Sequence, residues 1–207
     1  MDVRMRHPFT ALVSGPTGCG KSYFVRELLR HRASHIDVTF HDVIWCYGEW
    51  QPLYDKVRKE MGVKFHEGVL HNVPKDGKSR LVVIDDLMRE ADGHVVDMFT
   101  KGSHHRNLSV IFITQNLFHQ NRGQRDISLN AHYIIVFKNP RDAAQITYLA
   151  RQIVPENPKF IQEAYRDATS APHGYLLIDL KQSTDDTVRY RTHIFDKQPV
   201  IYVPKKV

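Results

Sequence analysis

Cysteine is nearly absent from this chain of 207 residues, which holds only Cys19 and Cys46. One lies in a glycine-rich run and the other in the apolar run Val43-Ile44-Trp45-Cys46-Tyr47, so the pair is poorly placed for a disulfide and suits a reducing compartment. Long apolar runs are missing as well. No stretch approaches the roughly 18 apolar residues of a membrane-spanning helix, and Met1-Asp2-Val3-Arg4-Met5-Arg6 lacks the apolar segment of a signal peptide. The protein is therefore expected to be soluble and intracellular. No internal repeat or low-complexity segment occurs. Thirteen histidines are many, yet no C-x-x-C or H-E-x-x-H spacing organises them into a metal site. The adjacent His104 and His105 would point to opposite sides of a strand and read as loop or surface residues.

Acidic residues are the scarcer charge, 23 against 29 lysines and arginines, which leaves a formal net charge of +6 at pH 7. A polyanion is thus a candidate partner, because cations that neutralise phosphates release counterions, but charge by itself does not select nucleic acid. Hydrophobic residues at 42% and charged residues at 25% give a globular balance. The length suits a single α/β domain over residues 1–207, with a core over about 8–170 and a C-terminal hairpin and tail over about 171–207.

The most informative stretch that is present is Gly15-Pro16-Thr17-Gly18-Cys19-Gly20-Lys21-Ser22, which satisfies G-x-x-x-x-G-K-[ST] in full. A strand-length apolar run, Phe9-Thr10-Ala11-Leu12-Val13-Ser14, precedes it, and Phe24, Val25, Leu28 and Leu29 follow at helical spacing. That context makes it a phosphate-binding loop, whose glycines let backbone N–H groups turn inward around a nucleotide's phosphates at the positive end of a helix. Lys21 is expected to reach the β- and γ-phosphates and the Ser22 hydroxyl to ligate magnesium, so ATP and Mg2+ are the expected ligands.

A second motif, Leu81-Val82-Val83-Ile84-Asp85-Asp86-Leu87, is an apolar strand ending in two carboxylates and has the form of a Walker B motif. Asp85 can hold the magnesium that Ser22 also contacts, and Asp86 can polarise a water for in-line attack on the γ-phosphorus or merely cap the following turn. Val110-Ile111-Phe112-Ile113-Thr114-Gln115-Asn116 repeats the design with uncharged groups. Gln115 can donate to a γ-phosphate oxygen or hold the lytic water; the alternative is an ordinary exit from a strand.

Short apolar runs at 9–14, 43–47, 81–84, 110–113 and 133–137 alternate with helical segments such as Pro52 to Met61, Val95 to Thr100, Asp142 to Ile153 and Lys159 to about Ala168. Uninterrupted apolar runs suit parallel strands covered on both faces, and the alternation argues for a doubly wound, mainly parallel α/β sheet with ligands at the carboxyl ends of its strands. Residues 174–180 and 188–195 read as a β-hairpin around a polar turn, and Tyr202 to Val207 as a loose tail or interaction arm.

Taken in order, the phosphate-binding loop, LVVIDDL (81–87), VIFITQNLF (110–118) and ISLNAHYIIVFKNPRD (127–142) resemble the viral genome-packaging ATPases of the FtsK/HerA superfamily. The likeness is to the forms carried by poxviruses, polinton-like elements and related double-jelly-roll-capsid viruses, and it runs from Thr10 to the terminal hairpin. It implies a RecA-like P-loop NTPase fold in which the Gln-bearing strand lies between the P-loop and Walker B strands. It also implies a homo-oligomeric ring, hexamer or pentamer, that translocates double-stranded DNA into a capsid and docks on capsid vertex proteins. Many cellular relatives carry Glu where this chain has Asp86, one methylene shorter, which acts directly or through a repositioned water. Such rings complete each site with an arginine from the neighbouring subunit. Arg141, in Lys138-Asn139-Pro140-Arg141-Asp142, is the first candidate by motif position and Arg125 the second; the alternative for each is a solvated or DNA-backbone-binding arginine.

Lys101, Arg106, Arg122 and Arg125 are candidate DNA contacts by charge alone. Two other readings stay open. A P-loop kinase of small nucleosides or nucleotides would need an acceptor pocket and an Arg-rich lid, against which Asp86, Gln115 and the lack of an obvious lid argue. A nucleotide-gated DNA-binding or capsid-assembly protein would bind ATP with little turnover.

Overall fold

The structure, a computed structural model, describes residues 2–87, 93–99, 107–118 and 127–205. Nine strands among these residues join in one sheet: β1 (Thr10–Ser14), β2 (Asp42–Tyr47), β3 (Lys64–Glu67), β4 (Arg80–Asp85), β5 (Leu108–Thr114), β6 (Tyr133–Phe137), β7 (Tyr175–Asp179), β8 (Tyr190–Thr192) and β9 (Val200–Tyr202). Their order across the sheet is β3-β2-β4-β5-β1-β6-β7-β8-β9. Pairing is parallel from β3 through β6 and antiparallel from β6 to β9. The β5 strand thus lies between β1 and β4, and the doubly wound, mainly parallel α/β sheet is the observed fold class.

Every residue of β1, β4, β5 and β6 is buried, which is why these strands read as continuous apolar runs. Successive side chains alternate between two cores. Leu12, Val82, Val110 and Ile134 enter one; Val13, Val83, Ile111 and Ile135 enter the other. Helices α1 (Lys21–Arg30) and α3 (Pro52–Met61) cover the second core through Phe24, Val25, Leu28 and Leu29 and through Tyr54, Val57 and Met61. Between them in sequence, α2 (Arg32–His35) is a single turn. The first core is closed by α4 (Gly93–Asp97), α5 (Ala144–Ile153) and α6 (Pro158–Ala168). Helix starts follow local chemistry: Pro52 and Pro158 occupy first-turn positions where no N–H is needed, and the Asn157 side chain accepts from the Phe160 N–H.

Two strands escape the sequence reading. β3 is a mostly exposed edge strand, and β9 takes residues 200–202, the last of which the sequence places in a loose tail. Both are short edges that bury little: β3 (Lys64–Glu67) carries no apolar run, and β9 (Val200–Tyr202) is apolar but only three residues long and mostly exposed. The hairpin is present, with β7 and β8 antiparallel, but β8 is shorter than expected because Asp186–Val188 form a 3-10 turn before it. No described helix is long and apolar enough to cross a membrane.

The antiparallel end is held by a buried ion pair. The Arg191 guanidinium donates to Asp179 Oδ2 at 2.9 Å, with side-chain exposures of 2% and 3%, and to the Val3 carbonyl at 2.7 Å. Breaking such a pair leaves one buried charge without a counterion, whereas replacing both partners with apolar side chains removes the cost. Asp179→Asn is therefore expected to lower the free energy of unfolding in urea by about 3–5 kcal/mol, and the double change Asp179→Leu, Arg191→Met to recover most of that loss. A double variant no more stable than the single one counts against the pair as the source.

Candidate functional site

Strand register brings the motifs level. Ser14 pairs with Thr114, Val13 with Ile113 and Ile113 with Asp85, so the chain leaves β1, β5 and β4 at the same edge of the sheet. Gly15, Gln115 and Asp86 each lie just past a strand end. The Gly15 N–H extends the ladder by one bond to the Thr114 carbonyl at 3.3 Å. A Cβ at Gly15 would stand 2.7 Å from both Cys19 Sγ and Phe137 Cβ, so only glycine fits where the loop leaves the strand. Gly20, at φ 107°, reverses the chain into α1. The first turn of α1 carries no acidic side chain, which leaves its positive end open to an anion. The Lys21 ammonium sits over the loop and donates to the carbonyls of Gly15 at 2.7 Å and Pro16 at 3.0 Å.

Ser22 and Asp85 meet as the sequence requires. The Ser22 hydroxyl donates to Asp85 Oδ2 at 3.1 Å, and a residue the sequence reading missed, Tyr54 of α3, donates to the same oxygen at 2.9 Å. Asp85 is 3% exposed. Burial pushes its carboxyl above the ordinary carboxylate range, and the hydrogen bonds from Tyr54 and Ser22 oppose that rise. Burial also raises the Tyr54 hydroxyl, reinforced by the neighbouring Asp85 charge. No sequence spacing links Tyr54 to Asp85; only the packing of α3 on β4 does.

Asp86 stands in the opposite environment. Its backbone is left-handed, at φ 54°, a conformation that Asp tolerates, and its side chain is exposed. The Gln115 amide lies 3.4 Å and 3.5 Å from the two Asp86 carboxylate oxygens. Thr17, Gly18, Gly20, Lys21, Ser22, Tyr23, Gln51, Asp85, Asp86 and Gln115 line one cleft of about 270 Å³. Tyr23 of α1 and Gln51, just before α3, line the cleft without belonging to a motif.

Beside the loop lies a larger, mostly apolar cavity of about 460 Å³, lined by Gly20, Tyr23, Phe24, Glu27, Phe137, His173, Tyr175 and Phe195. Phe24 is its hub, with ring centroids 4.7 Å from Tyr175 and 5.3 Å from Phe195. The His173 ring reaches back to the loop, with Nδ1 3.1 Å from the Cys19 carbonyl. The cavity joins α1, β6, β7 and the segment after β8, so no local signal announces it. Cys19 itself is a free thiol, raised above its ordinary range by burial, and Cys46 is free and buried.

Arg141 follows β6, exposed and outside the cleft lining, its N–H donating to Asn139 Oδ1 at 3.2 Å. Among the described residues no group of three or more His, Cys, Asp or Glu is arranged to hold a metal. Lys101, Arg106, Arg122 and Arg125, with His104 and His105, lie outside the described residues.

No protein-family model matches this sequence, and comparison with curated proteins gives no match. Solved structures do match. The genome packaging NTPase B204 of Sulfolobus turreted icosahedral virus 2, determined with ATP-gammaS, aligns with a TM-score of 0.55 and 14% identity, over 96% of this chain and 98% of its own. ATPases 2 and 3 of EccC from Thermomonospora curvata, bound to a signal sequence peptide, align with a TM-score of 0.43 and 14% identity, over 65% of this chain and 30% of theirs. The cytoplasmic domain of the type VII secretion ATPase EccC of that organism gives 0.46 and 15%, over 84% of this chain and 24% of its own. At such identities the B204 alignment is a likeness of fold, and the fold is that of a RecA-like P-loop NTPase: a mixed, mostly parallel sheet of nine strands with helices on both faces.

Proposed function

We propose that this chain is a magnesium-dependent ATPase that couples hydrolysis to movement along double-stranded DNA and packages a viral genome. The observation that carries the reading is the convergence of Lys21, Ser22, Asp85, Asp86 and Gln115, from three adjacent strand ends, on one cleft at the start of α1. The likeness of fold to B204, a genome packaging NTPase, supports the packaging task, and a net charge of +6 suits a polyanionic track.

In this reading the loop's N–H groups and the open end of α1 take the phosphates, and Lys21 exchanges its two carbonyl acceptors for β- and γ-phosphate oxygens. The neighbouring aromatic cavity takes the adenine base between Tyr23, Phe24, Phe137 and Tyr175. Ser22 and Asp85 suit magnesium: both offer oxygen, they already lie 3.1 Å apart, and a cation that keeps its phosphate and water ligands needs few from the protein. Magnesium bound there supplies neutralising charge to the β- and γ-phosphates. Asp86, exposed and unencumbered by the buried pair, accepts the proton of the attacking water, and the Gln115 amide beside it holds that water or a γ-oxygen in place. Arg141 serves the site of the next subunit in a homo-oligomeric ring seated on a capsid vertex. Its exposure and its place outside its own cleft accord with that role.

Phosphate release measured with and without double-stranded DNA tests the assignment. DNA is expected to stimulate turnover with little sequence preference, and DNA affinity to fall steeply with salt; activity indifferent to DNA rules out a motor. Lys21→Ala is expected to abolish turnover and weaken ATP binding. Asp86→Asn should bind ATP normally while turnover drops by about 10²–10⁴-fold, the usual worth of a general base; near-normal turnover returns Asp86 to a turn residue. Arg141→Ala should fold and bind ATP but not hydrolyse it. Mixed with Lys21→Ala, it should regain partial activity, because some interfaces then pair an intact loop with an intact arginine. No recovery in mixtures shown by sizing to co-assemble removes Arg141 from the active site.

A further inference from the structure

Tyr54 belongs to none of the motifs, lines neither cavity, and is 1% exposed, yet its hydroxyl ends on the carboxylate at the centre of the site. We infer that Tyr54 is the positioning residue that orients Asp85 toward the metal, an inference that rests on the ATPase reading above. Both Tyr54 and Ser22 donate to Oδ2 of Asp85, at 2.9 Å and 3.1 Å. Two hydroxyls on one oxygen stop the carboxylate from rotating and leave Oδ1 as the oxygen engaged by neither. Ser22 also faces the cleft, whereas the Tyr54 hydroxyl has Asp85 as its hydrogen-bond partner and does not reach the cleft.

The ring is fixed more firmly than a hydroxyl on a free side chain could be. Ring centroids of Trp45 and Trp50 lie 5.5 Å from Tyr54, that of Phe65 5.2 Å and that of Tyr47 5.7 Å. Phenylalanine would fill the same space in this cluster. Packing therefore accounts for the ring, and the hydroxyl, costly to bury unpaired, donates to the carboxylate with the Trp45 side chain as a second polar neighbour. Residues that hydrogen-bond a metal ligand in this way set the affinity of the metal rather than the binding of the substrate.

Tyr54→Phe removes the hydroxyl and keeps the ring. In the full chain at saturating ATP, the Mg2+ concentration that gives half-maximal phosphate release is expected to rise about tenfold or more, while KM for ATP at saturating Mg2+ stays within about twofold. A readout free of turnover is Mn2+ binding, followed by electron paramagnetic resonance in the presence of a non-hydrolysable ATP analogue, and it should weaken by the same factor. Equal metal affinity in variant and wild type overturns the inference, even if the variant melts at a lower temperature. Wild-type protein that binds the analogue but no Mn2+ overturns the magnesium assignment itself, and the Tyr54 role with it. Should Tyr54→Phe not fold, Trp50→Ala loosens the seat of the ring from the exposed side and is expected to weaken Mn2+ binding two- to threefold; unchanged binding there also overturns the role.

Discussion

A carboxylate buried at the end of a strand is costly unless its oxygens are hydrogen-bonded, and Asp85 sets that condition for the whole edge of the sheet that bears the cleft. At Oδ2 the condition is met twice, by one hydroxyl from α1 and one from α3. Both helices cover the same core, so packing brings them close to β4 and the hydrogen bonds set their final placement. Because Ser22 lies in the first turn of α1, fixing its hydroxyl on Asp85 also fixes where the glycine-rich loop must end. Loop, helix and strand are thus tied to one oxygen atom.

Adjacent residues are then given opposite surroundings. Asp85 points to the face covered by α1 and α3, while the left-handed backbone of Asp86 turns its carboxylate out into the cleft beside Gln115. Two carboxylates next to each other in sequence can in this way divide the proposed labour, one holding a cation and one accepting a proton, because a single φ angle separates their environments. The strand order supplies the third partner. Placing β5 between β1 and β4 puts Gln115 beside both the loop and Asp86, although these residues are far apart along the chain.

The antiparallel strands contribute to the same edge. Tyr175 opens β7, Phe195 follows β8, and both pack on Phe24 of α1, completing the aromatic cavity beside Gly20. His173, just before β7, contacts the loop carbonyl of Cys19. The Arg191–Asp179 pair joins β8 to the other end of β7, the strand that Tyr175 opens. Gly20 and Tyr23 line both the cleft and the aromatic cavity, so the start of α1 faces both.

The sequence alone determined what depends on neighbours along the chain. The glycine-rich loop is legible because its turns need glycine at fixed offsets, and β1, β4, β5 and β6 are legible because strands covered on both faces must be apolar at every position. Walker B and the Gln115 strand end follow from the same logic, a run of buried residues that stops at a polar group. The edge strands β3 and β9 are not legible for different reasons: β3 buries little and has no apolar run to show, whereas β9 is apolar but only three residues long and mostly exposed. Nor is Tyr54, which reads as one more aromatic on the buried face of α3 until the packing of that helix brings its hydroxyl to Asp85. The aromatic cavity is the same case on a larger scale: its rings come from four separate parts of the chain, and burial of apolar surface, being non-directional, leaves no spacing in the sequence by which they could be matched.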